Sequence, residues 1–183
     1  MVCTPDRAQV LTLLRHAEEL PWRMQDIGLM GLRLDDRRTS RLHVWDPGSC
    51  TGEPPVHDHP YDFTSTVIAG ELTNTRYRED PDGDLYVRFR YVPGAEDERR
   101  SDTVRLSSTA TTFTMGHEYR QLAPELHASR QLPGTVTAIR CDWVRVPELT
   151  VCHRDGGSWR SGQGRDATRQ EIRRIAASAL AWF

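Results

Sequence analysis

Apolar residues repeat with helical spacing near both ends of the chain. Residues from about 5 to 20 are predicted to form an amphipathic helix, with Thr4 as its cap. A second helix is predicted from about 168 to 182, because Thr168 and Glu171 have the spacing of a capping box. The apolar stripes of the two helices are Val10, Leu13, Leu14, Ala17 and Leu20 in the first and Ile172, Ile175, Ala176, Ala179 and Phe183 in the second.

Short β-prone segments separated by turn residues fill the middle of the chain, from about residue 29 to residue 151. The clearest turn signals are Asp80-Pro81-Asp82-Gly83-Asp84 and Pro93-Gly94. Many short strands without helices between them favour an all-β sandwich or barrel over a parallel α/β sheet. The predicted strands are 42–45, 63–69, 72–77, 85–92, 103–106, 111–114 and 136–146. A chain of 183 residues fits one domain.

Charge excludes several classes of protein. The chain has 26 acidic and 24 basic residues, and every basic residue is arginine. Without lysine there can be no Schiff-base lysine, pyridoxal phosphate anchor or P-loop lysine. A net charge of -2 without a basic block argues against nucleic-acid binding. No apolar stretch reaches the roughly 18 residues that a membrane span needs, and the first residues lack a secretory signal, so we expect a cytoplasmic protein.

The four cysteines are widely spaced along the chain. They contain no CxxC pair, which excludes a zinc knuckle and a thioredoxin motif. Reduced, mostly packed thiols are the expected state. The cysteines are Cys3, Cys50, Cys141 and Cys152.

The segment Val56-His57-Asp58-His59-Pro60 carries the strongest chemical signal. Histidines at positions i and i+2 of an extended chain point to the same face, so His57 and His59 form half of a site for a divalent metal. The third ligand must come from elsewhere in the fold. His127 is the best candidate, and His117 is the alternative.

Two segments resemble the motifs of the cupin family. Residues 52–70, with their two histidines and closing glycine, resemble the first cupin motif, and residues 114–127 resemble the second. Within that family, Trp45-Asp46-Pro47-Gly48 followed by residues 56–59 is similar to the cysteine dioxygenase branch. The resemblance covers roughly residues 40–147 and leaves the predicted helices outside.

The resemblance implies a double-stranded β-helix, or jelly-roll, barrel flanked by N- and C-terminal helices. It implies a non-heme metal held by His57, His59 and His127, with Fe(II) first and Ni, Zn or Mn as alternatives. It also implies a dioxygenase that oxidises a small, cysteine-like thiol with dioxygen, and a homodimer. Two alternatives stay open: a non-oxidative metal cupin (isomerase, cyclase or lyase) and a cupin that only binds a small ligand.

The chain departs from the family pattern at two places. Phe63 stands where most metal cupins have a glutamate ligand, so the ligand set is three histidines without a carboxylate, as in thiol dioxygenases. Asp62 is adjacent and would be a ligand only if a bulge turned it inward. The histidine and tyrosine that thiol dioxygenases carry after the third ligand are absent, and Arg140 and Asp142 fall near their places. The outcome of the reaction can therefore differ from plain sulfinic acid formation.

A carboxylate on the substrate would need an arginine, whose guanidinium can bind both carboxylate oxygens at once. In the family this arginine lies on the strand before the tryptophan, which makes Arg33 the nearest candidate by order. Arg140 and Tyr61 are further candidates for substrate contact. The rival arginines on predicted strands are Arg76, Arg78, Arg88 and Arg90.

Overall fold

The computed structural model describes residues 4–25, 27–37, 39–46, 48, 55–92, 99–142, 148–154 and 164–183. Its helices are α1 (Arg7–Arg15) and α2 (Arg169–Leu180), with a 3-10 turn at Ala17–Glu19. Its strands are β1 (Arg23–Gln25), β2 (Leu29–Arg33), β3 (Ser40–Trp45), β4 (Val56–His57), β5 (Phe63–Ala69), β6 (Glu71–Tyr91), β7 (Arg99–Thr114), β8 (Glu118–Gln121), β9 (Leu126–Gln131), β10 (Val136–Cys141), β11 (Leu149–His153) and β12 (Arg165–Asp166). The predicted all-β fold with a helix near each end is confirmed. No helix among these residues is long and apolar enough to cross a membrane.

The strands form the two antiparallel sheets of a β-sandwich. The seven-stranded sheet has the order β12-β1-β2-β3-β10-β5-β8, and the five-stranded sheet has the order β11-β4-β9-β6-β7. The short strand β4 is paired on both sides, with β11 and with β9. Both of those strands also pair with successive segments of β6. Strand β4 is therefore fixed from both sides although it is only two residues long.

Both helices pack on the outer face of the seven-stranded sheet. Strand β3 shows why, because its side chains alternate: Leu42 and Val44 are fully buried against the helices, whereas Arg41 and His43 face the space between the sheets. The helix residues of this apolar cluster are Val10, Leu14, Ile172, Ile175, Ala176 and Ala179. The predicted stripe of α2 is thus the face that the helix buries.

Helix α1 is shorter than the predicted 5–20. Its N-cap is Asp6, not Thr4, because the Asp6 carboxylate accepts a 2.8 Å hydrogen bond from the Gln9 backbone N–H. The Gln9 side chain in turn accepts a hydrogen bond from the Asp6 backbone N–H. Aspartate is also a somewhat better N-cap residue than the threonine that the sequence predicted. Helix α2 has the predicted capping box of Thr168 and Glu171.

The predicted turn at residues 80–84 is wrong, because β6 runs through it as one strand of 21 residues. Its pairing with β7 shifts between Glu79 and Asp84, so the residues between them form a bulge. A Cβ on Gly83 would lie 2.4 Å from the carbonyl carbon of Leu106, so only glycine fits this bulge. The predicted strands 72–77 and 85–92 are therefore parts of β6, and the predicted strands 103–106 and 111–114 are parts of β7. The Pro93-Gly94 turn lies outside the described residues. In place of the predicted strand 136–146, β10 ends at Cys141, and residues 143–146 lie outside the described residues.

Candidate metal centre

The structure brings together the three histidines that the sequence singles out. His57 lies on β4 directly opposite His127 on β9, and His59 follows two residues after His57. One nitrogen atom from each of the three imidazoles lies within 4.8 Å of those of the other two. The Nε2 atoms of His59 and His127 are 2.8 Å apart. Three imidazoles at this spacing can hold a metal ion.

Two of these imidazoles are oriented through their Nδ1 atoms. His57 Nδ1 lies 2.9 Å from the carbonyl oxygen of Pro55, and His127 Nδ1 lies 2.7 Å from Asn74 Oδ1. A backbone carbonyl can only accept, so His57 carries its proton on Nδ1. The Nε2 atom of that ring then carries the lone pair that can bind a metal ion. A histidine that binds a metal through one ring nitrogen commonly donates a hydrogen bond from the other one in this way.

Burial keeps the three rings uncharged. It lowers the pKa of His57, an effect that the hydrogen bond to Pro55 only partly offsets. Burial and the neighbouring histidines hold the pKa values of His59 and His127 well below the ordinary value. Metals bind the neutral form of imidazole. Near pH 7 the three rings are already in that form, so no proton has to leave them before a metal ion binds.

The cluster lies in the wall of a cavity of about 420 Å³ between the two sheets. The Phe63 ring contacts it, with its centroid 4.9 Å from that of His59. Leu72 and Ile139 add further apolar wall. A space of this size accepts a small molecule and places it beside the histidines.

Arg41 is the site residue that sequence reasoning missed. Its Nη1 donates a 2.9 Å hydrogen bond to the Tyr61 hydroxyl, and its guanidinium lies 5.3 Å from the centroid of the Tyr61 ring. Its Nε is buried and has no hydrogen-bond partner among the described residues. Arg33 stands opposite Arg41 across the β2–β3 pair, and both line the cavity. Alternation along β3 is the signal that could have found Arg41.

The wall of the cavity has more positive than negative side chains. Arg23 lines it together with Arg33 and Arg41, whereas Asp58 is the one acidic side chain in the part of the lining that the structure describes. Burial raises the pKa of Asp58 to about 6, and hydrogen bonds from Thr150 oppose that rise. Arg23 is paired with Asp166 at 2.7 Å, so the positive charge that favours an anion in this cavity comes mainly from Arg41.

Two of the three predicted substrate contacts line the cavity, and the third does not. Tyr61 lines the cavity and holds Arg41, and Arg33 lines it from an exposed position. Arg140 is exposed and is not part of the cavity wall. The reason is strand alternation, since its neighbours Thr137 and Ile139 both face the cavity.

Neither alternative ligand belongs to the three-histidine cluster of the described residues. The Asp62 carboxylate accepts hydrogen bonds from the Ala123 backbone N–H at 2.8 Å and from Arg120 at 2.9 Å. Asp62 therefore points away from the cluster, as simple alternation predicts. His117 is exposed and contacts Thr114 in the turn between β7 and β8.

Cys141 and Cys152 are buried free thiols, which agrees with the expected reduced state. Burial raises the pKa of Cys152 to about 12, so this thiol is unreactive. Cys3 and Cys50 lie outside the described residues.

No family model matches this chain, and no curated protein matches it. Among solved structures, it is similar to a chain from "Crystal structure of drosophila melanogaster CENP-C bound to CAL1". That similarity covers 80% of this chain and 94% of the other, at 13% identity and a TM-score of 0.20. A likeness this weak carries no argument about fold or function.

Proposed function

We propose that the protein is a metalloenzyme with a cupin-type jelly-roll fold, which oxidises a small anionic thiol with dioxygen. The observation that carries this proposal is the convergence of three neutral imidazoles in the wall of a cavity that also contains Arg41. The three imidazoles supply a metal site, and Arg41 supplies a contact for an anion. The cysteine dioxygenase-like motifs favour iron and a thiol within this class.

The donor set fits a divalent transition metal. Imidazole nitrogen suits iron, nickel and zinc, and His57, His59 and His127 would leave coordination positions open. When bound, Fe(II) would supply the electron transfer that the reaction of dioxygen with a closed-shell thiol requires. Three neutral ligands leave the positive charge of the ion uncompensated, so an anionic sulfur is a favourable partner.

The protein's own residues would bind and orient the substrate. The Arg41 guanidinium, which lines the cavity, would take a carboxylate, while Tyr61 holds the guanidinium in place. Phe63 and Ile139 would exclude water from the rest of the molecule. Addition of both atoms of one dioxygen to R–SH gives R–SO₂H, which balances without a further oxidant or reductant.

Zinc chemistry is the second candidate, because three histidines with an open position are also the ligand set of a catalytic zinc site. In that case the same cavity would host a non-oxidative lyase, cyclase or isomerase reaction. A cavity that binds a small ligand without turnover is the third candidate.

Oxygen uptake distinguishes the three. Protein loaded anaerobically with Fe(II) is expected to consume oxygen with a panel of small mercapto-acids and aminothiols, with one oxygen molecule for each thiol oxidised. The His127→Ala variant is expected to lose this activity, and the His117→Ala variant, which changes an exposed histidine, is expected to keep it. Turnover by zinc-loaded protein without oxygen uptake would support the second candidate. Binding without turnover by any metal form would support the third.

A further inference from the structure

We propose that a chain of two buried carboxamides, Gln121 and Asn74, sets the tautomer of His127 and so aims its Nε2 lone pair at the metal site. These are positioning residues, because they act through His127 and are not among the three candidate metal ligands. Asn74 is 2% exposed and Gln121 is fully buried, so water cannot replace their hydrogen bonds. The consequence for metal binding rests on the proposed function, whereas the tautomer can be measured without a metal.

The chain of hydrogen bonds begins at a backbone carbonyl. Gln121 Nε2 lies 3.0 Å from the carbonyl oxygen of Glu125. That oxygen can only accept, so the amide nitrogen of Gln121 must face it. The turn between β8 and β9, which contains Glu125, is fixed in place by a 3.1 Å hydrogen bond from the Leu122 backbone N–H to the Glu125 carboxylate. Gln121 therefore presents its oxygen in the other direction.

The orientation passes through Asn74 to the histidine. Asn74 Nδ2 donates a 3.2 Å hydrogen bond to Gln121 Oε1, which leaves Asn74 Oδ1 facing His127 Nδ1 at 2.7 Å. Asn74 Oδ1 can only accept, so His127 must carry its proton on Nδ1. Its Nε2 is then a free acceptor.

The same reasoning assigns the proton in the close pair of Nε2 atoms. With His127 Nε2 as acceptor, the 2.8 Å contact requires His59 to donate from Nε2 in the metal-free protein. A metal ion would replace that hydrogen and bind both nitrogens. His59 would then move its proton to Nδ1, and His127 would need no change.

The first test is nitrogen-15 NMR of histidine-labelled, metal-free protein near pH 7, with signals assigned by comparison with His127→Ala and His59→Ala. We expect His127 with its proton on Nδ1 and His59 with its proton on Nε2. A proton on Nε2 of His127 in the wild-type protein would overturn the inference. The variants serve only to assign the signals, and the tautomers themselves are measured in the wild-type protein.

The second test breaks the chain and then restores its end. Gln121→Met removes both hydrogen bonds, so we expect mixed tautomers of His127 and a Co(II) affinity roughly 10- to 100-fold weaker in competition with a chromophoric chelator. Adding Asn74→Asp to Gln121→Met gives His127 a carboxylate acceptor that needs no orientation by Gln121. The double variant should regain the Nδ1 proton and most of the Co(II) affinity, which a purely structural role of Gln121 would not predict.

The outcomes separate this inference from the proposed function. Unchanged tautomer and unchanged Co(II) affinity in Gln121→Met would overturn the inference and leave the metal site intact. Wild-type protein that binds no metal but shows the expected tautomers would overturn the proposed function and leave the positioning chain intact.

Discussion

The two faces of strand β3 have opposite character. On the outer face, Leu42 and Val44 are fully buried in the apolar cluster beneath the helices. On the inner face, Arg41, His43 and Trp45 line the cavity. The period of two along a strand separates these two sets completely, so one strand serves stability with one face and binding with the other.

The helices make this division of labour possible. In a simple β-sandwich, the space between the sheets is the core and must be filled with apolar side chains. Here α1 and α2 add a second apolar layer outside the seven-stranded sheet, in which Trp22 and Ile175 are almost fully buried. The space between the sheets can therefore hold histidines and arginines at a lower cost to the stability of the fold.

The largest expected effect on stability tests the outer face. Leu42→Ala should lower the free energy of unfolding by about 2–5 kcal/mol, because the surrounding cluster cannot close the cavity that it leaves. His43→Leu on the inner face should leave it within about 1 kcal/mol or raise it, since it removes a buried imidazole whose pKa burial lowers to about 3. Urea unfolding of both variants measures the difference. Equal losses would show that the two faces contribute alike.

Removal of the inner-face guanidinium should separate binding from stability. Arg41→Met keeps the length of the side chain but cannot bind a carboxylate, so the KM for an anionic thiol should rise at least about tenfold. The free energy of unfolding should fall by about 1.5 kcal/mol, less than in Leu42→Ala, because the hydrogen bond to the Tyr61 hydroxyl is lost whereas the buried Nε has no partner among the described residues.

Arg140→Met is the matched control for that prediction, since Arg140 is exposed on the same sheet but outside the cavity wall. We expect it to leave KM unchanged. If Arg140→Met raised KM as much as Arg41→Met, the assignment of Arg41 to the substrate would be wrong.

A smaller effect is expected at the start of α2. The Thr168 hydroxyl accepts a hydrogen bond from the Glu171 backbone N–H. Thr168→Ala should therefore cost about 1 kcal/mol of stability, without any change in metal binding. Thermal unfolding and metal titration of the same sample would check both parts, and a loss of metal would contradict the separation of the two faces.

The smallest effect is a pH dependence in the same cap. A hydrogen bond from Arg165 is the main cause that lowers the pKa of Glu171 to about 2, from an ordinary value of 4.5. A carboxyl with a lowered pKa in the folded state stabilises the fold above its ordinary pKa, and this contribution is lost as the pH falls toward 2. Glu171→Gln should flatten that part of the stability curve between pH 5 and pH 2, as urea unfolding at several pH values would show. A curve unchanged from wild type would contradict the contribution of Glu171.

The sequence indicated the candidate metal ligands better than it indicated the residues that surround and orient them. The spacing of His57 and His59 follows from the alternation of an extended chain, which is a local rule, so it could be predicted. His127 was the best candidate for the third ligand because it lies just before the last long predicted strand, and it also falls in the segment that resembles the second cupin motif. Arg41 was missed because a strand predicted to begin at residue 42 leaves it outside, whereas β3 begins at Ser40.

Long-range pairing explains the remaining differences. Asn74 carries no local signal, since its role depends on contacts with His127 and Gln121 that are 53 and 47 residues distant. The residues 80–84 have the composition of a turn, but β6 is paired with β7 on both sides of them, so they form a bulge within one strand. Local propensity identified a backbone irregularity there and could not specify its kind.

The most direct test of the central claim is elemental analysis after anaerobic loading with Fe(II) and removal of unbound metal. The account predicts about one metal ion per chain in wild type and in His117→Ala, and a near-complete loss in His57→Ala and His127→Ala. Circular dichroism of each variant would verify that the fold is intact. Equal metal content in wild type and both site variants, or no metal in the loaded wild-type protein, would contradict it.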